Sequence, residues 1–217
     1  MNYSLFDDAS EESSYSEALC EGAAVLRHFA SAYTGDLLAE IEKVIATHPF
    51  RHMRTPSGLR MSVATSCCGS VGWVSDQDGY RYSHCEPESS KAWPPMPETF
   101  LSLAKQAAAA TGFHGFAPDS CLINQYVAGT RLGLHQDKDE KNLNAPIVSV
   151  SLGIPATFLF GGLQRSDPQQ RIYLAHGDVV VWGGPARLRF HGITPIKPAA
   201  HPLLGAQRIN LTFRQAR

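Results

Sequence analysis

No stretch of the 217 residues approaches the 18 or more consecutive apolar positions that a membrane-spanning helix needs. The first residues also lack the basic and apolar regions of a secretory leader, so the expected location is the cytoplasm and no membrane is expected as a partner. Cysteine is sparse and unpatterned: there are five, with Cys67 and Cys68 adjacent, Cys20, Cys85 and Cys121 scattered, and no C-x-x-C spacing. That excludes a disulfide framework and a zinc ribbon, and reduced thiols are expected. Net charge is equally scant, -1 from 19 Lys+Arg and 20 Asp+Glu, which argues against the basic footprint of a tight non-specific DNA binder. The balance is uneven, however. Residues 1–22 hold Asp7, Asp8, Glu11, Glu12, Glu17 and Glu21 and neither Lys nor Arg, which leaves the rest of the chain with 19 basic against 14 acidic residues. Nucleic acid therefore stays open as a partner.

With 43% hydrophobic residues, the chain has enough apolar material for one core, since a domain of this size buries about 70% of its unfolded surface. No internal repeat is visible. The acidic segment 1–22 reads as a loosely ordered tail. Ala23 to Phe29 reads as a strand. Leu37, Leu38, Ile41, Val44 and Ile45 recur at the spacing of one buried helix face, and a second helix is expected from Pro97 to about Thr111, with Gly112 as its stop. Residues 50–95 differ: Arg51, His52, Arg54 and Arg60 mix with Met61, Trp73, Tyr80, Tyr82 and Trp93 among Gly, Ser and Pro. A hairpin whose aromatics form a local core fits that mixture, and so does a base-stacking surface. From Ser120 onward short strands alternate with glycine turns: Cys121–Val127, Ile147–Leu152, Thr157–Phe160, Arg171–Leu174, Asp178–Trp182, Leu188–Ile193 and Arg208–Arg214. That pattern predicts a sandwich, barrel or jelly roll.

His135-Gln136-Asp137 carries the first chemical signal, because alternation along an extended segment places His135 and Asp137 on one face. A third ligand could come from any distant strand, and His191 sits in the apolar, Gly-flanked run Phe190-His191-Gly192. Two His and one carboxylate suit a non-haem Fe(II) oxygenase. The rival His84-Cys85-Glu86 lies in Pro-rich loop sequence, and His176 precedes Gly177-Asp178, where a turn or capping role suffices. In Arg208-Ile209-Asn210-Leu211-Thr212-Phe213-Arg214 every second position is polar, and the only ionised groups are two Arg. Such a face asks for an anion. The two Cα atoms would lie about 20 Å apart, too far to grip one carboxylate from equivalent positions, so a dicarboxylate is the better match, each guanidinium swinging inward to hold one end bidentately. Asn124 and Tyr126 share a strand face and could add neutral hydrogen bonds.

These segments, with Ser149-Val150-Ser151-Leu152-Gly153 and Gly177-Asp178-Val179-Val180-Val181-Trp182-Gly183-Gly184, together resemble the AlkB family of Fe(II)- and 2-oxoglutarate-dependent nucleic-acid dealkylases from about residue 23 to the end. The resemblance implies a mainly β fold with flanking helices: a double-stranded β-helix, or jelly roll, over 117–217, preceded by helices and a nucleotide-recognition lid within 23–116, the lid itself at about 50–95. It implies His135, Asp137 and His191 as iron ligands, and Arg208 and Arg214 as 2-oxoglutarate grips, with Asn124, Tyr126 and Asn210 beside them. Trp73, Tyr80 and Tyr82 fall where the lid meets substrate, and Asp139 and Arg165 where the damaged base is bordered. The implied reaction uses Fe(II), O2 and 2-oxoglutarate to demethylate bases of the 1-methyladenine and 3-methylcytosine type in single- or double-stranded DNA, or in RNA, by a monomer. It releases succinate, CO2 and formaldehyde, as direct-reversal DNA repair. Three rivals remain at this stage: a small-molecule or protein hydroxylase on the same iron scaffold, a non-enzymatic metal-binding jelly roll, and a structural β domain.

Overall fold

Alternation in the C-terminal half builds the molecule. The computed structural model describes residues 14–217, so residues 1–13 of the expected acidic tail lie outside the described residues. In chain order the elements are β1 (Tyr15–Cys20), β2 (Ala23–Arg27), α1 (Thr34–Thr47), β3 (Ala64–Gly69), β4 (Gly72–Asp76), β5 (Gly79–Ser83), α2 (Glu98–Ala110), β6 (Ser120–Val127) and β7 (Leu132–His135). There follow β8 (Ile147–Gly153), β9 (Ala156–Phe160), β10 (Gln170–Leu174), β11 (Val179–Trp182), β12 (His191–Ile193) and β13 (Gln207–Arg214). A major sheet runs β1-β2-β11-β8-β13-β6-β3, a minor sheet β10-β9-β12-β7, and β4-β5 stand as a separate hairpin.

The major sheet carries a different cargo on each face, as period 2 requires. Ile209, Leu211 and Phe213 of β13, with Val148 and Val150 of β8, pack against Leu37, Ile41 and Val44 of α1 and Phe100, Leu103 and Ala107 of α2. Each fully buried Leu or Phe in that layer contributes about 1.5–3 kcal/mol. On the opposite face, Tyr126, Ile147, Val180 and Trp182 meet Phe158, Phe160, Ile172 and Ile193 of the minor sheet. Two facing antiparallel sheets with helices covering the outer face make a double-stranded β-helix, as the sequence leads one to expect. α2 stops at Gly112, whose φ of 88° is left-handed. No helix among the described residues is long and apolar enough to cross a membrane.

Two expectations are corrected. Residues 15–20, read as part of a loosely ordered tail, form the edge strand β1 on β2, and Glu17 finds Arg27 at 2.7 Å. Composition pointed to disorder, and a cross-strand ion pair with backbone pairing gives the segment a place. The expected strand over 188–193 shrinks to His191–Ile193, because Gly184–Ala186 is a 3-10 turn and Arg187 behind it is buried.

Candidate metal centre and its cavity

β7 and β12 are neighbours, and their register sets His135 directly opposite His191, with an irregularity before Ile193. Gly192 permits the close approach: a Cβ there would lie 2.7 Å from the Leu132 carbonyl oxygen. His135 Nδ1 donates to the Gly133 carbonyl at 2.9 Å, and His191 Nδ1 donates to the Arg189 carbonyl at 3.0 Å. Both Nε2 atoms are thereby left as lone-pair donors. They face one carboxylate, with His135 Nε2 3.6 Å from Asp137 Oδ1 and His191 Nε2 3.8 Å from Asp137 Oδ2. The three ligand atoms lie within 4.8 Å of one another. Asp137 lies two residues beyond the end of β7, so the strand register places the two imidazoles and the chain continuing from β7 brings in the carboxylate. Burial, then His135, pushes the His191 imidazole down to about 3. His135 is raised, because Asp137 overrides the burial that works against its charge. Burial also works to raise the Asp137 carboxyl, but the Arg214 guanidinium and the two imidazoles hold it well below the usual carboxylate range.

This triad opens on a cavity of about 510 Å³. One wall is β13, whose Arg208, Asn210, Thr212 and Arg214 all line it, with Asn124 and Tyr126 of β6 beside them. Asn210 is fixed by donating to Ser149 Oγ at 2.8 Å and accepting from Asn124 Nδ2 at 3.1 Å. Arg208 is 1% exposed, yet among the described residues only its Nη2 has a hydrogen-bond partner, Ser151 Oγ at 3.0 Å; Nε and Nη1 are buried without one there. Burial pulls its pKa down to about 10. A guanidinium with orphaned donors in a dry site is costly unless an anion completes it. Arg214 is half engaged: Nε and Nη2 donate to Asp137 Oδ2 at 3.0 and 2.8 Å, and Nη1 has no partner.

The opposite side is made by the β4-β5 hairpin. Trp73 and Tyr80 stack with centroids 5.6 Å apart, and Trp73 Nε1 donates to Asp139 Oδ2 at 2.8 Å. Trp73, Tyr80, Asp139 and Arg165 line the cavity, with the Arg165 guanidinium 5.5 Å over the Phe190 ring. Tyr82 is not on the wall: its hydroxyl donates to Glu140 Oε1 at 2.5 Å. Trp93 is a core residue, donating to the Ser83 carbonyl at 2.9 Å and lying against Gly72.

A family-wide sequence profile, that of the 2OG-Fe(II) oxygenase superfamily, matches residues 22–214. The chain is 54% identical over 212 residues to the alpha-ketoglutarate-dependent dioxygenase AlkB of Salmonella typhimurium, covering 98% of each chain. It belongs to the AlkB family. The solved structure of OsALKBH1 superposes with a TM-score of 0.81 at 31% identity, covering 93% of this chain and all of that one. A more distant relative, the nucleic acid dioxygenase ALKBH1 of Mus musculus, is 34% identical over 125 residues, 57% of this chain and 32% of its own length. Membership makes the protein an Fe(II)- and 2-oxoglutarate-dependent dioxygenase using O2, and the AlkB-type site accommodates those groups. Two neutral imidazole nitrogens and a carboxylate oxygen form a donor set for Fe(II), and the buried Arg208 donors without a partner among the described residues suit an anion such as a carboxylate.

Sequence reasoning gave no role to several residues that shape this AlkB-family site. Trp182 and Phe158 pack their rings 4.9 and 6.0 Å from His191. Arg187 and Glu140 are buried behind the triad at 2.9 Å from each other. Only the aromatic ending of Val179-Val180-Val181-Trp182 carries a visible signal. The rival His84 rests its Nδ1 against the Ser70 carbonyl. His176 bonds Thr34 Oγ1 and accepts from the Gly153 amide, a bridge between elements rather than a ligand.

Proposed function

We propose that this dioxygenase removes alkyl groups from N-alkylated bases, of the 1-methyladenine and 3-methylcytosine type, in single- or double-stranded DNA and in RNA, as direct-reversal repair. The observation that carries the reading is that one cavity holds both the His135, Asp137, His191 triad and the stacked Trp73–Tyr80 pair with Asp139. In this assignment His135, Asp137 and His191 hold Fe(II). Arg208 and Arg214 bind the two ends of 2-oxoglutarate, with Asn124, Tyr126 and Asn210 lining its bed. When bound, iron, O2 and 2-oxoglutarate supply an oxidant that hydroxylates the N-methyl carbon, leaving succinate and CO2, and the hydroxymethyl group departs as formaldehyde.

The chain's own residues do the rest. A methyl on the Watson-Crick edge is hidden in a duplex, so the base must be extruded or offered in a single strand. Methylation at adenine N1 or cytosine N3 leaves a cationic ring, which the Trp73 and Tyr80 faces can hold by stacking and cation-π attraction. Asp139 adds a carboxylate beside that ring, and Arg165 borders it. Trp182 and Phe158 keep the His191 side apolar, which excludes water from the reacting carbon. The lid assigned to about residues 50–95 has this hairpin as its base-facing part. We further propose a monomer acting in the cytoplasm; five free cysteines support the compartment. The test is a formaldehyde assay over a panel of methylated DNA and RNA oligonucleotides with Fe(II), ascorbate and 2-oxoglutarate. Formaldehyde with cationic N-methyl lesions is expected, and formaldehyde with none of the oligonucleotides would end the proposal.

A further inference from the structure

Arg187 lines no part of the cavity, yet it is 3% exposed and each of its side-chain hydrogen bonds reaches the segment that carries the metal-ligating carboxylate. Its Nη1 donates to the Asp137 carbonyl at 2.6 Å, its Nε to the Ala145 carbonyl at 3.0 Å and its Nη2 to Glu140 Oε2 at 2.9 Å. One guanidinium thus pins the start, the middle and the end of the loop between β7 and β8. Gln136 Nε2 adds a bond to the Leu188 carbonyl at 2.6 Å, from the same loop to the same turn. Glu140, in turn, is shared: its Oε1 accepts the Tyr82 hydroxyl at 2.5 Å and lies 3.4 Å from Arg214 Nε. Tyr82 is the cross-strand partner of Trp73 in the hairpin, and Trp73 bonds Asp139 in the same loop. Within four residues, then, the loop presents Asp137 to the triad and Asp139 and Glu140 to the hairpin.

We propose that Arg187 is the positioning residue of this site, and that the Arg187–Glu140 pair sets two distances at once: Asp137 to the two imidazoles, and the Trp73–Tyr80 stack to the triad. Tyr82 is assigned here as the hairpin's anchor rather than as a contact to the base. The chemistry favours Arg over any other residue at 187. A buried charge must have its donors satisfied and its charge paired, and only the planar fork reaches two carbonyls and a carboxylate together. A side chain that holds the backbone of a ligating carboxylate acts as an outer-shell partner, and losing such partners typically costs ten- to a hundredfold in metal affinity.

The inference rests on the site assignment proposed above, and its readouts need no nucleic acid, so it can fail independently of the substrate reading. Two full-length variants, Arg187→Lys and Tyr82→Phe, are titrated with Mn(II) by electron paramagnetic resonance, and their amide hydrogen exchange is followed segment by segment. Arg187→Lys keeps the charge and loses the fork. Its Mn(II) affinity is expected to fall roughly ten- to a hundredfold, with faster exchange over residues 72–83 and unchanged exchange in β6 and β8. Tyr82→Phe is expected to retain Mn(II) affinity while exchange over 72–83 speeds up roughly ten- to a hundredfold, the loss of one bond to a buried carboxylate. Wild-type Mn(II) affinity in folded Arg187→Lys, or wild-type exchange over 72–83 in Tyr82→Phe, would each overturn the proposal. The second variant removes one oxygen atom, so it decides the hairpin half even if the first does not fold; Glu140→Gln, which keeps the shape and removes the charge that Arg187 pairs with, then decides the Arg187 half, with wild-type Mn(II) affinity overturning it.

Discussion

The two walls of the cavity, one stiff and one softer in its backbone pairing, are tied into the fold to different extents. β13 is hydrogen-bonded along its length to β6 on one side and β8 on the other, and its outer residues are locked into the helix layer. Its polar comb cannot move without moving the core. The β4-β5 hairpin pairs only its own two strands among the described residues, an arrangement that is marginal in isolation; it is held by Val74, buried with Met53, Cys67, Trp93 and Leu122, by the Ser75 bond to the Arg54 carbonyl, and over the cavity by Trp73–Asp139, Tyr82–Glu140 and Trp93–Ser83 bonds. The stiff wall carries Arg208, Asn210, Thr212 and Arg214, the comb we assign to the dicarboxylate, while the triad sits on β7, the segment after it and β12. The softer wall carries the stacked Trp73 and Tyr80 faces that we assign to a bulky and variable base.

This contrast can be broken by substitution, starting at the triad between the two walls and then on the stiff wall. His191→Ala removes one of three ligand atoms, and both Fe(II) binding and turnover should fall to background, measured by metal titration and succinate release. Next comes Arg208→Lys, which leaves Ser151 and the cavity anion with a single ammonium in place of a fork. The 2-oxoglutarate Kd should rise about ten- to a hundredfold, the worth of one or two charge-assisted hydrogen bonds, while metal affinity holds.

On the softer wall, Trp73→Ala should cut turnover of a methylated oligonucleotide by roughly ten- to a hundredfold through lost stacking worth about 1–3 kcal/mol. The slow conversion of 2-oxoglutarate to succinate without substrate should persist. Equal loss of both would mean that the hairpin belongs to the rigid frame.

The smallest effect concerns pH. Because Asp137 raises His135, a proton competes with the metal at that nitrogen below the raised pKa. Metal affinity of the metal-free chain should drop about tenfold per pH unit as pH falls below it and level off above it. His191, held at about 3, adds nothing across that window. In the absence of metal, the same raised pKa contributes stability that is fully present below the unfolded value and is lost as pH rises through the folded one, so heating scans should show the opposite pH trend.

Much of the stiff wall was legible because period 2 is local information: Arg208, Asn210, Thr212 and Arg214 declare their common face in the order of seven residues. The helices followed from spacing in the same way. The hairpin was half legible. Trp73, Tyr80 and Tyr82 read alike as aromatics, but only the fold separates two that line the cavity from one whose hydroxyl is taken by Glu140. Arg187 was illegible because its partners lie 42 to 50 residues away and two of them are backbone carbonyls, which leave no trace in side-chain pattern. β1 was missed because six acidic residues with no basic ones within 1–22 speak of solvation, and the cation that balances Glu17 comes from β2.

The most direct test of a single cavity serving metal, dicarboxylate and methylated base is the ratio of formaldehyde to succinate released by the full-length chain with Fe(II), ascorbate and 2-oxoglutarate. It is measured with a 1-methyladenine oligonucleotide, with its unmethylated twin and with free small metabolites. The account predicts one formaldehyde per succinate with the methylated strand, and slow succinate without formaldehyde in the other two. Fast succinate release stimulated by a small metabolite, with no response to the methylated strand, would contradict it.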